Sequence, residues 1–335
     1  MKFTTMAKAG LAVLKGNAAG VSYPLFVTLA TNNACQSHCK YCKIPKRQQR
    51  ELTTEEIFRL IDEIAAMGTQ RLGIWGGEPL LRADIIDIVK HAHDAGLYVT
   101  LDSNGYLLPQ KREILDHLDH IIISLDGPKE AHDANREEGS WEKVMAAINC
   151  VPPGMTLWTI TVLTKHNIDK VDWILDEAEK RKFIPTFQVL HHSESFGIND
   201  ELRPSPEEYR KCLAYLRDQK KKGRAIGTSI GCFDHLINWQ DYTKNMSPEG
   251  SECWKKCWGG KFFVNVDANG DLYPCSLVIG SAPAPNFLEH GFAEAYKRIT
   301  PPPCQSCLAT CFTEYNLLLS LNAKTIMQWV LAMGK

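Results

Sequence analysis

Cys35, Cys39 and Cys42 stand in the string Asn33-Ala34-Cys35-Gln36-Ser37-His38-Cys39-Lys40-Tyr41-Cys42. Thiolates this close together can hold a metal centre, and three of them leave it incompletely ligated. A structural zinc would need a fourth ligand, with His38 the nearest candidate, but zinc sites normally close with four ligands in paired short spacings. In a 4Fe-4S cluster each anchored iron takes one thiolate, so three cysteines leave one iron open to a non-protein ligand. The polar, Lys-rich stretch from Lys40 to Arg50 reads as an exposed loop, which speaks against three unrelated buried cysteines.

Cysteines return near the C-terminus, where Cys253, Cys257, Cys275, Cys304, Cys307 and Cys311 crowd into residues 253–311. A chain without a secretion signal seldom carries this density except for metal ligation in a reducing compartment. Two fully ligated clusters would take eight thiolates. Six are present, or seven with Cys232, so one auxiliary cluster is the economical count, with a zinc ribbon as the plain alternative. Cys150 and Cys212 fall on expected helices and read as buried apolar residues.

The elements that must position these groups alternate. Apolar runs at Pro24 to Thr31, Arg71 to Trp75, Tyr98 to Asp102, Ile121 to Leu125, Leu157 to Thr164 and Thr186 to Leu190 predict buried strands. Helices are expected at 53–67, 84–95, 109–118, 140–150, 168–182 and 205–222, the first opened by a Thr53–Glu56 capping box. Strict alternation predicts a parallel sheet with right-handed crossovers, here a partial (β/α)6 TIM-like barrel whose active site sits at the strand C-termini. Four segments follow: an N-terminal helical extension (1–23), the barrel (24–225), a small cysteine-rich cluster-binding domain (226–320) and a C-terminal helix (321–335). Within the third, a hairpin is expected around Asp267 to Gly270.

Net charge is -1 and nothing pulls the chain toward nucleic acid. No apolar run reaches transmembrane length, so a cytoplasmic protein is expected. The N-terminal helix is expected to pack on the barrel; its composition also suits peripheral contact with a membrane surface.

The C-x3-C-x2-C spacing with Tyr41 before its last cysteine resembles the signature of the radical S-adenosylmethionine (SAM) enzymes. Gly76-Gly77-Glu78-Pro79, after the second strand, is similar to the family motif that holds the SAM amino group; by itself it would be an ordinary turn. Ser124-Leu125-Asp126-Gly127 with His132-Asp133 and Arg136 resembles a further family segment. The resemblance implies a cluster on Cys35, Cys39 and Cys42 whose free iron chelates SAM, with Tyr41, Gly76, Gly77, Glu78, Pro79, Asn104, Ser124 and Arg136 around the cofactor and the Glu78 carboxylate receiving the ammonium group. Asn167, Gln188 and His191 are candidate adenosine or substrate contacts. It also implies a low-potential electron donor such as flavodoxin or ferredoxin. The later cysteines resemble SPASM/twitch modules, which implies at least one auxiliary 4Fe-4S cluster on Cys257, Cys275, Cys304 and Cys307, with Cys253 and Cys311 as second choices. The chain departs from the full SPASM pattern, having C-x2-C-x3-C and no cysteine beyond Cys311.

Ser276 stands where sulfatase-maturing relatives carry Asp, which lowers that option. The segment from Leu11 to Cys42 is also somewhat similar to an enzyme that adds an adenosyl radical to a hopanoid lipid. Trp239, Tyr242, Trp254, Trp258, Phe262 and Phe263 would suit an apolar or ring-shaped substrate, though such aromatics are commonly core. The expectation is a small-molecule or lipid-like substrate, with a peptide- or protein-modifying enzyme as the alternative. An electron-transfer or zinc-binding protein without catalysis is the rival from another class; an electron carrier would close its clusters with four thiolates each.

Overall fold

The computed structural model describes residues 22–191, 199–247, 257–281 and 283–333, together with residues 10, 13, 14, 16, 18 and 197. Six parallel strands follow in chain order: β1 (Phe26–Ala30), β2 (Arg71–Trp75), β3 (Tyr98–Ser103), β4 (His120–Ser124), β5 (Thr156–Leu163) and β6 (Ile184–Val189). Side chains alternate across each strand. Val27, Leu29, Leu72, Ile74, Val99, Leu101, Ile121 and Ile123 point outward and are fully buried, in one core with Ile57, Leu60, Ile61, Ile88, Val89 and Val144 of the surrounding helices. The opposite face, with Thr28, Arg71, Trp75, Asp102, Trp158, Ile160 and Val162, retains accessible surface and lines the lumen of a partial barrel.

The first helix, Thr54–Ala66, begins at the expected capping box: Glu56 N–H donates to Thr53 Oγ1 (3.3 Å) and Thr53 N–H to Glu56 Oε2 (2.8 Å). Between β3 and β4 the expected α-helix is replaced by 3-10 turns over Leu108–His117, broken at Lys111. The apolar residues Leu108, Ile114 and Leu115 still share one side, but the non-helical backbone at Lys111 (φ -118°, ψ 32°) divides the segment into two short turns.

The hairpin expected around Asp267 to Gly270 is present but does not stand apart. After the two-residue strand β7 (Met246–Ser247), β8 (Phe263–Val266) pairs parallel to the free edge of β1, and β9 (Leu272–Tyr273) returns antiparallel. The sheet therefore has eight strands, ordered β6-β5-β4-β3-β2-β1-β8-β9; β7 pairs separately with β10 (Ser306–Cys307). The helix Thr310–Leu319 spans the gap left between β6 and β8. Thr310 N–H donates to Gln188 Oε1 (2.9 Å) and its hydroxyl to Phe187 O (2.8 Å) at one side. At the other, Phe312 stacks on Phe263 (5.4 Å between centroids) and Tyr315 meets Phe26 (5.2 Å).

Of the expected N-terminal helix the described residues are helical, and Val13 is buried in the cluster that includes Leu25, Trp258 and Phe262; the remainder lies outside the described residues. The C-terminal helix covers Ala323–Met333. Among the described residues no helix is long and apolar enough to cross a membrane.

One ion pair ties the cysteine loop to the C-terminal hairpin. Arg47 donates through Nη1 to Asp267 Oδ1 (3.1 Å) and through Nη2 to Oδ2, and Gln49 adds a bond at 3.2 Å. The Asp267 side chain is 1% exposed, so removing Arg47 strands a buried charge. Arg47→Leu is expected to cost about 2 kcal/mol, and Arg47→Leu with Asp267→Leu to cost less, in a denaturant-unfolding double-mutant cycle.

The fold also sets a pH dependence. Burial lowers the pKa of His120 to about 3 and of His132, His191 and His235 to about 4, from 6.5. Below pH 6.5 the unfolded chain takes up protons that these folded histidines refuse, so stability falls with acid. Glu78 and Asp102, raised by burial to about 7 and about 6, act in the opposite sense over the same range. The four histidines outweigh the two carboxylates, and apparent Tm is expected to rise with pH from about 4 to about 6.5.

Candidate active site

The cysteine loop leaves β1 and is laced at once to the loop after β2. Thr31 N–H donates to Trp75 O (2.8 Å), Gly77 N–H to Asn32 O (2.8 Å) and Glu78 N–H to Ala34 O (2.8 Å), while the Asn32 amide reaches Glu78 O (2.9 Å). A side chain at Gly77 would place its Cβ 2.2 Å from Ala34 O and 2.3 Å from Asn33 O. The two glycines are thus required by the approach of one loop to the other.

Glu78 is fully buried and its carboxylate is already engaged. It accepts from Leu80 N–H (3.1 Å), Ser103 Oγ (2.7 Å) and Asn104 N–H (2.8 Å), bracing the second strand end against the third. Glu78 thus braces the loops with three of its roughly four acceptor positions, leaving capacity for one further donor such as an ammonium group. Asn104 accepts from Gln36 (3.3 Å) and from Tyr106 N–H (3.0 Å), and its amide donates to Cys35 Sγ (3.6 Å). Ser37 contributes a backbone N–H to Cys35 Sγ (3.4 Å) and its hydroxyl lies 3.2 Å from Cys39 Sγ.

A second brace comes from the β4 end. Asp126, fully buried, accepts from Tyr41 OH (2.9 Å), Arg136 Nε (2.8 Å) and Val162 N–H (3.0 Å), and Arg136 Nη1 lies 3.7 Å from Cys39 Sγ. Behind it, the Asp126 N–H donates to His132 Nδ1 (3.0 Å), which fixes that imidazole's tautomer. Asp126 and Asn32 carry much of the site, yet neither was singled out by its own chemistry in the sequence; the signal was there only as the Asp of Ser124-Leu125-Asp126-Gly127. Ser124 ends β4, half-buried.

Two expected contacts are structural. Asn167 is fully buried and spends its amide on Asp126 O (2.9 Å) and Val162 O (2.8 Å), closing the turn after β5. Gln188 anchors the Thr310–Leu319 helix through Thr310 and Leu308. His191 follows β6, its pKa lowered by burial. His38, the candidate zinc ligand, is exposed and turns to Glu137 Oε2 at 2.9 Å.

The three thiols fit an open cluster. Burial pushes Cys35 up to about 11 and raises Cys42, nearby Cys39 adds to both, and Asn104, Ser37 and Arg136 aim donors at the sulfurs of Cys35 and Cys39. Unliganded, the raised thiols of Cys35 and Cys42 stay protonated at neutral pH; only a cation makes thiolates stable there. Among the described residues no three His, Cys, Asp or Glu side chains converge as ligands of one ion would, whereas cluster ligands stand one per iron.

A second group of four thiols fits a cluster in the same way. Cys275 and Cys307 are buried, Cys257 and Cys304 half-buried, and the pKa values of Cys275, Cys304 and Cys307 are raised first by burial and then by the charge of other members of the group. Asn316 donates to Cys257 Sγ (3.7 Å). Cys253 lies outside the described residues. Cys311 does not join them: its thiol, pushed up to about 12 by burial, feels Asp102 and Arg71 in the lumen. Its helix, pinned to β6 by Thr310, turns it there on the same side as Tyr315, four residues on. Cys232 is fully buried against Thr310 O, Cys212 lies in the core and Cys150 is half-buried.

Gly77→Ala is expected to lower iron bound per chain after reconstitution, because the loops cannot both keep their place. Gly96→Ala, at an open positive-φ turn with nothing within 4 Å, is expected to cost only about 1 kcal/mol and no iron. Arg136→Leu leaves Asp126 buried without its cation and removes a donor from Cys39; a stability loss of about 3 kcal/mol is expected, and a lower cluster potential in an EPR-monitored titration.

The radical SAM superfamily signature matches residues 29–178. The AdoMet-dependent heme synthase of Methanosarcina barkeri is 27% identical over 293 residues, covering 82% of this chain and 82% of that protein. The PqqA peptide cyclase of Ruegeria pomeroyi is 33% identical over 268 residues, 76% of this chain and 68% of that protein. Among solved structures, SuiB of Streptococcus suis superposes with a TM-score of 0.65 over 88% of this chain and 70% of that one, at 16% identity. SuiB has also been solved bound to S-adenosylmethionine and bound to precursor peptide SuiA. The SuiB likeness speaks for the fold. The signature over the cysteine loop and barrel, with the 33% identity to the peptide cyclase, goes further: this chain belongs to the radical SAM superfamily.

Proposed function

We propose that this radical SAM enzyme modifies a peptide or protein and carries an auxiliary 4Fe-4S cluster on Cys257, Cys275, Cys304 and Cys307. The observation that carries the substrate reading is the 33% identity to a peptide cyclase across three quarters of the chain, which favours the peptide alternative over the small-molecule or lipid-like substrate expected from the aromatics. Those aromatics also have other work: Trp239, Tyr242, Trp258, Phe262 and Phe263 are all buried, and Trp254 lies outside the described residues. A small-molecule reading keeps one support, the heme synthase matched over 82% of both chains.

When bound, the cluster and SAM supply a 5'-deoxyadenosyl radical that abstracts hydrogen from the substrate. This chain's residues do the placing. Cys35, Cys39 and Cys42 hold the cluster; Asn104, Ser37 and Arg136 donate to its sulfur ligands. The Gly76–Pro79 turn, with its backbone and the remaining acceptor capacity of Glu78, would receive the SAM amino group, and Ser124 at the end of β4 would contribute to the same pocket. Tyr41 and Asp126 keep the loop in register. A low-potential donor such as flavodoxin or ferredoxin supplies the electron.

Anaerobic reconstitution is expected to give about eight irons per chain; about four would remove the auxiliary cluster. With SAM and dithionite the protein should release 5'-deoxyadenosine, and Cys39→Ala should abolish it. Peptides encoded beside the gene should change mass on incubation with enzyme, SAM and reductant. Turnover of a tetrapyrrole with those peptides untouched would sink the peptide reading.

A further inference from the structure

The lumen holds two opposite charges that do not close on each other. Arg71 opens β2 and Asp102 lies near the end of β3, both on the inner face. Arg71 is held in place: Nη1 donates to Tyr315 OH (2.7 Å), Nη2 and Nε to Thr100 Oγ1 (3.1 and 3.4 Å), and the guanidinium lies 5.8 Å from the Tyr315 ring centroid. These partners are neutral, and two of its five N–H groups remain. Asp102 takes part in the β3–β4 ladder through its backbone, while its carboxylate meets no hydrogen-bond or ion-pair partner among the described residues.

Asp102 is exposed although Leu101 and Ser103 beside it are buried, and its surroundings are dense enough to raise its pKa to about 6. The inner face of the sheet is thus open at Asp102, on the side where Tyr315 of the Thr310–Leu319 helix reaches Arg71. Cys311 shows the same pair of properties and feels the charge of both residues, so the three side chains face one space. The Thr310–Leu319 helix supplies Cys311 and Tyr315 to this space from successive turns.

A cation held by its partners and an anion placed by the neighbouring strand, each with unused hydrogen-bonding capacity, match a group that is itself dipolar. A peptide amide is such a group: its carbonyl accepts from the guanidinium and its N–H donates to the carboxylate. A simple amine would satisfy Asp102 and be repelled by Arg71, and a simple carboxylate the reverse.

We propose that Arg71 and Asp102 form a split-charge receptor in the barrel lumen that binds one backbone amide of the substrate. This rests on the peptide reading above and deepens it: the two residues determine specificity and orientation, and neither reacts.

Cys311 serves as the reporter, because a ligand between the two charges covers its thiol. The reconstituted full-length protein with SAM is treated with iodoacetamide, and alkylation of Cys311 is followed by peptide mass spectrometry. The probes are N-acetylglycine N-methylamide, methylammonium and acetate at matched concentration. The diamide is expected to slow alkylation about threefold once it reaches twice its Kd, and the monovalent ions to leave it unchanged. Protection should vanish in Asp102→Leu; should that variant fail to fold, Asp102→Asn and Arg71→Met must weaken it. Protection by methylammonium or acetate alone, undiminished protection in the variants, or a Cys311 that never reacts would each overturn the receptor. Wild-type protein that shows diamide protection yet makes no 5'-deoxyadenosine would instead overturn the proposed function and leave the amide site standing.

Discussion

The approach of residues 32–34 to residues 76–78 is the constraint from which the rest of the site follows. Three backbone hydrogen bonds and one side-chain bond fasten the loops at a distance that only glycine permits at position 77. Because the two loops leave adjacent parallel strands in fixed register, Phe26 opposite Arg71, the position of Cys35 is set by the sheet and not by the loop's own preferences. Glu78 then carries that order sideways to the third strand through Ser103 and Asn104, and Asn104 returns it to Cys35. Asp126 does the same from the fourth strand through Tyr41 and Arg136. A loop of polar residues with little apolar area to bury owes its conformation to these buried polar braces.

The second structural decision is how the barrel ends. Six strands leave an open side, and the Thr310–Leu319 helix occupies it with nearly every residue buried. One of its ends is pinned to β6 by Thr310 and Gln188, and its aromatic residues pack on β1 and β8. The segment that supplies Cys304 and Cys307 therefore runs directly into the helix that walls the lumen.

Much of this was legible in the chain, and for local reasons. The Thr53–Glu56 capping box, the Asp267–Gly270 hairpin and the strand-helix alternation are written in residues close together, and each appears where the pattern predicts it. The cysteine loop was legible because its spacing is its chemistry. What escaped depends on partners distant in sequence. Asn167 and Gln188 look like any polar residue at a strand end; only the fold reveals that their amides are consumed by Asp126 and Thr310. The Thr310–Leu319 helix buries every residue except Cys311 and Leu318, polar ones included, and so lacks the period by which an amphipathic helix is recognised. The segment over 108–117 has the reverse problem: its apolar spacing suits a helix, and the break at Lys111 leaves no mark on that pattern.

The pairing of β8 with β1 joins residues 263–266 to residues 26–29, almost opposite ends of the chain. Until that partner arrives, β1 is an edge strand carrying unpaired backbone groups next to the cysteine loop. During synthesis at some tens of seconds for a chain of this size, the barrel strands emerge first and must wait for the last quarter of the polypeptide before the sheet is complete. Loop closure over such a span is slow and leaves an unsatisfied edge open to other chains. Completion of the sheet is thus tied to the stretch of chain that also carries Cys257 and Cys275. A ribosome that stalls after residue 260 would release not a smaller enzyme but an unfinished sheet.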